Sequence, residues 1–208
     1  MADFPRTVKP ASVTYPKVIG SLLSVGQSGK VQTRSETAQG RIWSETYPVL
    51  PAGNADVQEL LVTTENYFNL GTTFTITHYL LPGSGAAANG AGSAATGDVK
   101  GASQTGTTLN TDGWTASANV FKAGDCFTIA GMTTLFRSVT DVTANADVTA
   151  ATAITIQPPI VVGSSPGDGA DLTISGAKLT AIVIDYSDSA AGPDEFIGGF
   201  TITFREAI

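Results

Sequence analysis

At 208 residues, the chain is long enough for one large β domain or two small ones, either with a real core. Its formal charge of −7 argues against a nucleic-acid partner, because phosphate binding requires a cationic footprint. The single cysteine, Cys126, excludes an intrachain disulfide and a cysteine-based zinc site. Met1–Pro10 has no cationic start followed by an apolar run, and no segment approaches the roughly 18 apolar residues that span a membrane. These features predict a protein kept in the cytosol or carried in a particle assembled there, with no membrane partner.

In chain order, residues 1–20 carry Pro5, Pro10 and Pro16 among Phe4, Val8, Val13 and Tyr15, which predicts an extended arm. Such an arm lies over a neighbouring subunit or covers its own domain, so Phe4, Val8, Val13 and Tyr15 are candidate interface residues. Residues 21–50 read as a β-meander: Leu22–Val25, a turn at Gly26–Gly29, Val31–Glu36, then Arg41–Leu50. In the last strand Ile42 and Trp43 face opposite ways. Trp43 therefore belongs to a sandwich core or to a subunit contact.

The spacing predicts one helix over 54–69. Asn54 is its N-cap, Asp56 and Glu59 sit near its positive end, and Gly71 follows its last turn. Val57, Leu60, Leu61, Thr64 and Phe68 form the expected buried stripe. Thr72–His78 returns as a strand with Phe74 and Ile76 on one face. His78, the sole histidine, is expected to be a strand-end residue rather than a ligand or general base.

Residues 82–97 are an Ala/Gly tract with little side chain to bury, expected as a flexible or close-packed surface loop. Beyond it come short polar strands around Gly113-Trp114, then a compact unit from Phe121 to Val162. Here Cys126–Ile129 alternates, Leu135, Arg137 and Val139 continue opposite Phe136, and Ile154–Ile156 is a strand stopped by Pro158-Pro159. Cys126 reads as a small buried strand residue. Strands at Leu172–Ile174 and Leu179–Asp185 precede a turn-rich loop at 187–195. The apolar closing strand Phe200–Phe204 needs a sheet to join.

The two loops bracket the middle of the chain, which predicts an insertion. Residues 1–81 with 190–208 form a β-sandwich with the helix, and 82–189 a small barrel-like or sandwich domain. The fold class is mainly β with one helix. Trp114, Tyr186 and Trp43 are the aromatics that would face sugar rings in a carbohydrate-binding module, with Asn110, Asp112 and Asp125 as polar partners. Asp185, Asp188, Asp194 and Glu195 are close in sequence, but Asp in a turn-rich loop serves local hydrogen bonding, and the spacing matches no EF-hand. No catalytic kit, metal site or cofactor motif is expected.

Three features in order carry a resemblance. Arg41-Ile42-Trp43-Ser44-Glu45-Thr46-Tyr47-Pro48-Val49-Leu50 runs into the helix and Leu70-Gly71-Thr72-Thr73-Phe74. Val99–Leu109 is followed by Asp112-Gly113-Trp114, Lys122-Ala123-Gly124-Asp125 and Pro158. The chain ends on Phe200–Ile208. Together they span most of the chain and resemble the distal tail proteins of long-tailed bacteriophages. That resemblance implies a structural virion protein at the phage tail tip, assembled in the host cytoplasm. It implies a ring, usually a hexamer, built by the first domain between the tail tube and the hub or receptor-binding apparatus. The second domain would be a peripheral β-fold, a possible contact for a host surface glycan. Tail-tube and head-decoration proteins share the same general composition.

Overall fold

The computed structural model describes residues 1–18, 21–25, 31–35, 40–90, 97–187, 196–197 and 199–207, with backbone alone at 17–18, 21–25, 31–35 and 196–197. From the N-terminus run β1 (Ser12–Val13), β2 (Lys17–Val18), β3 (Ser21–Val25), β4 (Val31–Ser35), β5 (Arg41–Thr46) and β6 (Leu50–Pro51). The helix α1 (Ala55–Leu70) and β7 (Phe74–Ile76) follow. Next come β8 (Asp98–Val99), β9 (Gly106–Asp112), β10 (Asn119–Phe121), β11 (Cys126–Ile129) and β12 (Leu135–Ser138). They are succeeded by β13 (Val142–Thr143), β14 (Thr152–Ile160) and β15 (Leu172–Thr173). The chain closes with β16 (Leu179–Tyr186), β17 (Phe196–Ile197) and β18 (Thr201–Glu206). Among the described residues it is mainly β with one helix.

Contacts divide the chain into two compact units, Met1–Ile76 with Thr180–Ile208, and Thr77–Leu179. Composition alone sets the boundaries later, after residues 81 and 189. The difference at the return is β16, read from sequence as part of the middle domain. It pairs with β18 from Ala181↔Glu206 to Tyr186↔Ile202, so it belongs to the first sheet. β16 and β18 both fall in the first unit, so no boundary between the units lies at the predicted position after residue 189.

The first unit is built on a sheet ordered β1-β5-β18-β16-β7, with β2 also paired to β5. Alternation along β5 buries Arg41, Trp43 and Glu45 on one face, and along β18 it buries Ile202, Phe204 and Glu206. Trp43 stacks on Phe204 at 5.3 Å and Tyr47 on Phe200 at 4.9 Å between ring centroids. Phe4 lies 5.0 Å from Phe74 and 5.2 Å from Phe204, which completes an aromatic core.

The helix is capped as its sequence predicts. The Asn54 side chain accepts a hydrogen bond from the Asp56 N–H at 2.9 Å, and Gly71 takes the left-handed conformation at φ 60°. Its buried residues are Val57, Leu60 and Thr64. The predicted stripe is too wide: Leu61 is half-buried, and Phe68 lies at the exposed margin, edge-on to Tyr186 at 5.2 Å. Successive helix residues turn by about 100°, so Leu60 and Leu61 cannot both point at the centre of one sheet.

The second unit is a small barrel. Its sheet runs β15-β11-β12-β14-β9-β8. A bridge between Asp98 and Asp171 then joins the two ends, supported by bonds from Leu172 N–H to the Gly97 carbonyl (2.8 Å) and Val99 N–H to the Ala170 carbonyl (2.9 Å). Leu109, Phe121, Phe127, Ile129, Phe136 and Ile154 lie among its core residues. β14 does not stop at Pro158. It continues to Ile160 because the ladder with β9 skips from Thr155↔Thr108 to Ile160↔Gly106, which leaves the two prolines in a bulge where no N–H is required. Leu135 and Phe136 are both buried, whereas Val139 lies outside the strand and is exposed.

Described glycines of the Ala/Gly tract are closely approached by the rest of the unit. A Cβ at Gly83 would sit 2.1 Å from the Cys126 carbonyl oxygen, and one at Gly97 would sit 2.0 Å from the Trp114 ring. These residues are small because backbone and indole press directly on them.

Leu60→Ala is expected to cost about 2–5 kcal/mol, since the helix is deepest there. Glu65→Ala, on the exposed face, is expected to stay within about 0.5 kcal/mol. Urea unfolding of both variants checks the helical face.

Candidate functional site

The most highly constrained side-chain cluster of the first unit surrounds Glu45, which is fully buried. Trp43, Glu45 and Tyr47 lie two residues apart, so strand alternation turns all three the same way. The Tyr47 hydroxyl donates to Glu45 Oε2 at 3.0 Å and the Trp43 indole N–H to Oε1 at 3.4 Å. Arg6 supplies the charge: Nη2 donates to Oε1 at 2.9 Å and Nη1 contacts Oε2. This forked pair reaches across 39 residues of sequence and holds the N-terminal arm on the unit. A second buried pair, Arg41 Nε to Glu206 Oε2 at 3.2 Å, joins β5 to β18.

The arm therefore covers its own unit. Ala2 and Phe4 exchange backbone hydrogen bonds with Thr75 on β7 (3.0 and 2.9 Å), while residues 12–18 pair with β5 at the other side of the sheet. Of the candidate interface residues, Phe4 and Trp43 are buried in the unit's own aromatic core, which removes them from an exposed contact. Val8 and Val13 are half-buried, and Tyr15 is 48% exposed. Arg6, Glu45 and Tyr47 escape a search for catalytic or apolar contact residues. Their sequence signal is a carboxylate at the inward position of an apolar strand, which demands a cation from elsewhere.

The candidate glycan aromatics fall in different units. Trp114 is only 7% exposed, packs edge-on against Phe121 at 5.9 Å, and donates its indole N–H to Thr111 at 2.8 Å. It presents no face to a sugar, because the barrel core takes it. Tyr186 is half-buried against Phe68. Asp125 is fully buried and accepts backbone N–H groups from Asn89 (2.8 Å), Gly90 (2.7 Å) and Lys122 (2.8 Å), so it fastens the Ala/Gly tract to the barrel.

His78 is also buried, its Nδ1 accepting from the Leu80 N–H at 3.2 Å in the turn after β7. Cys126 is buried on β11. Asp185 is exposed on β16, while Asp188, Asp194 and Glu195 lie outside the described residues. Among the described residues, no group of three His, Cys, Asp or Glu side chains is placed to hold a metal, and no helix is long and apolar enough to cross a membrane.

Asp98 and Asp171 meet at the barrel seam. Burial, then a hydrogen bond with Asp171 and the negative charges of Asp171 and Asp112, raise the Asp98 carboxyl above its ordinary value. Lys100 faces Asp112 at 3.3 Å and relieves part of that charge.

No protein-family model matches the chain, and a search of curated proteins finds no match.

Two outcomes follow from these clusters. Arg6→Ala is expected to cost about 3–5 kcal/mol by stranding a buried carboxylate, with Arg6→Lys recovering part of it. Chemical unfolding followed by tryptophan emission reads this. At the seam, the raised value means that the native state keeps the Asp98 proton to higher pH than the unfolded chain, so this group's contribution is full below the ordinary value and lost as pH rises through the raised one. Asp98→Asn keeps a donor toward Asp171 and removes the charge. It is expected to raise thermal stability at neutral pH and flatten its decline from acid to neutral.

Proposed function

We propose that the chain is a structural virion protein, a distal tail subunit whose first unit builds the tail-tip ring between tail tube and hub. The observation that carries this reading is the manner of insertion. The chain leaves the first sheet at β7 and returns at β16, which neighbours β7 in that sheet, so the whole barrel replaces one loop between adjacent strands. A continuous sheet with an independent barrel in one of its loops suits a platform that carries a peripheral module. The motif order from Arg41–Leu50 to the closing strand supports the same reading.

The buried polar groups fit a scaffold. Glu45, Glu206 and Asp125 are each saturated by partners that hold chain segments together. A tail-tube or head-decoration role shares the structural class and differs in copy number. A mass-spectrometric census of purified particles decides between these stations. The expected result is a copy number matching one ring at the tail tip, with the purified chain forming closed oligomers by light scattering. A far higher copy number would move the chain to the tube or the head. Absence from particles, with a monomer at high concentration, would overturn the reading.

A further inference from the structure

The chain holds a single Asn-Gly pair, Asn89-Gly90, in the Ala/Gly tract. Such a pair is open to a reaction of the backbone with its own side chain, because glycine puts no Cβ in the way. The Gly90 nitrogen attacks Cγ of Asn89, and the new N–C bond closes a cyclic imide. The side-chain nitrogen leaves as ammonia, taking up the proton that the Gly90 nitrogen gives up. Water then opens the imide at either carbonyl. One product is aspartate. The other is isoaspartate, whose main chain runs through the former side chain and is longer by a carbon.

The fold restrains this reaction at the attacking nitrogen. Asn89 is exposed, whereas Gly90 is buried. The Gly90 N–H donates to Asp125 Oδ2 at 2.7 Å, and the Asn89 N–H donates to Oδ1 of the same carboxylate at 2.8 Å. Asp125 is itself fully buried and also accepts the Lys122 N–H at 2.8 Å. A Cβ on Gly90 would lie 2.3 Å from the Lys122 nitrogen and 2.4 Å from the Phe121 carbonyl carbon, so backbone walls this residue in. Attack requires the Gly90 nitrogen to lose its proton, and a carboxylate against it opposes the negative charge that results. The proton removed is the one that makes the hydrogen bond, so a charge-assisted bond is lost before the ring closes.

We propose that Asn89-Gly90 is a deamidation site that folding switches off, with Asp125 as its guard. Isoaspartate inserts a carbon between the two N–H groups that share the carboxylate, so the converted chain does not present both to it. Conversion in an unfolded chain therefore keeps the tract from fastening to the barrel. The mark is one-way, because hydrolysis of the imide does not restore the amide.

Incubating the full chain in one mildly alkaline buffer, folded and in guanidinium chloride, tests the proposal. Protease digestion and mass spectrometry follow the peptide that carries Asn89, with chromatography separating isoaspartate from aspartate. Deamidation is expected to be at least about tenfold slower in the folded chain, the factor that one charge-assisted hydrogen bond lost ahead of attack supplies. Asp125→Asn removes the charge and one acceptor oxygen. Where circular dichroism shows this variant folded, it is expected to lose most of the protection. Where it does not fold, hydrogen exchange at the Gly90 amide of the unaltered chain decides: strong protection is expected, and exchange at the unfolded rate overturns the proposal. Equal deamidation of folded and unfolded chain overturns it too. Faster deamidation in the folded chain would make Asp125 a base rather than a guard, and a folded Asp125→Asn as slow as the unaltered chain would remove Asp125 from the account.

Discussion

A buried carboxylate is the constraint on which the first unit depends. Glu45 sits inside an aromatic core, where an unpaired charge would cost several kcal/mol. Strand alternation leaves it no choice of direction, because Trp43 and Tyr47 turn inward with it. Arg6 is the cation that answers, and its fork fits both carboxylate oxygens while Trp43 and Tyr47 donate to the same atoms. The course of the arm follows from this demand. Anchored at Arg6, the segment before it reaches Thr75 on β7 and places Phe4 against Phe74 and Phe204. The segment after it runs along β5.

Local signals in the sequence were legible where the physics is local. Asn54 and Gly71 bound the helix because capping needs only a side-chain acceptor and a residue free to adopt positive φ. The alternation of β5 and β18 announces their inward faces. The destination of the arm was not legible, since Pro5, Pro10 and Pro16 specify extension without specifying a partner. On sequence Trp43 fits core and contact equally for a similar reason: strand period separates it from Ile42 but does not say which face is covered. Read alone, Pro158-Pro159 signals a stop, and only the register with β9 reveals a bulge that accommodates both prolines. Likewise β16 carries no mark of the sheet it joins, because strand pairing at long range is decided by the whole sheet.

The candidate site shows the same division. Trp114 is followed by a polar turn and looks available for a ligand, yet Gly97 presses on its ring and Thr111 takes its N–H. Glycine is the informative residue there, since its lack of a side chain is what allows the backbone at position 97 to lie against the indole. Asp125 reads as a turn former and is one, but its buried carboxylate also gathers N–H groups from the tract that precedes it by 35 residues or more. The glycines at 83, 85, 90 and 97 therefore reflect close backbone and ring approaches rather than mere low complexity.

The two units manage their sheet edges differently, and this bears on how copies could associate. The barrel joins its end strands at the Asp98–Asp171 bridge, which leaves little backbone to recruit a neighbour. In the first unit the arm occupies the flanks of β5 and β7, and Pro5, Pro10 and Pro16 supply no N–H for a further strand. Strand addition is thereby discouraged at the barrel seam and at the arm-covered flanks of the first sheet. For copies that each carry a net charge of −7, like-charge repulsion opposes association at low salt and weakens as salt screens it.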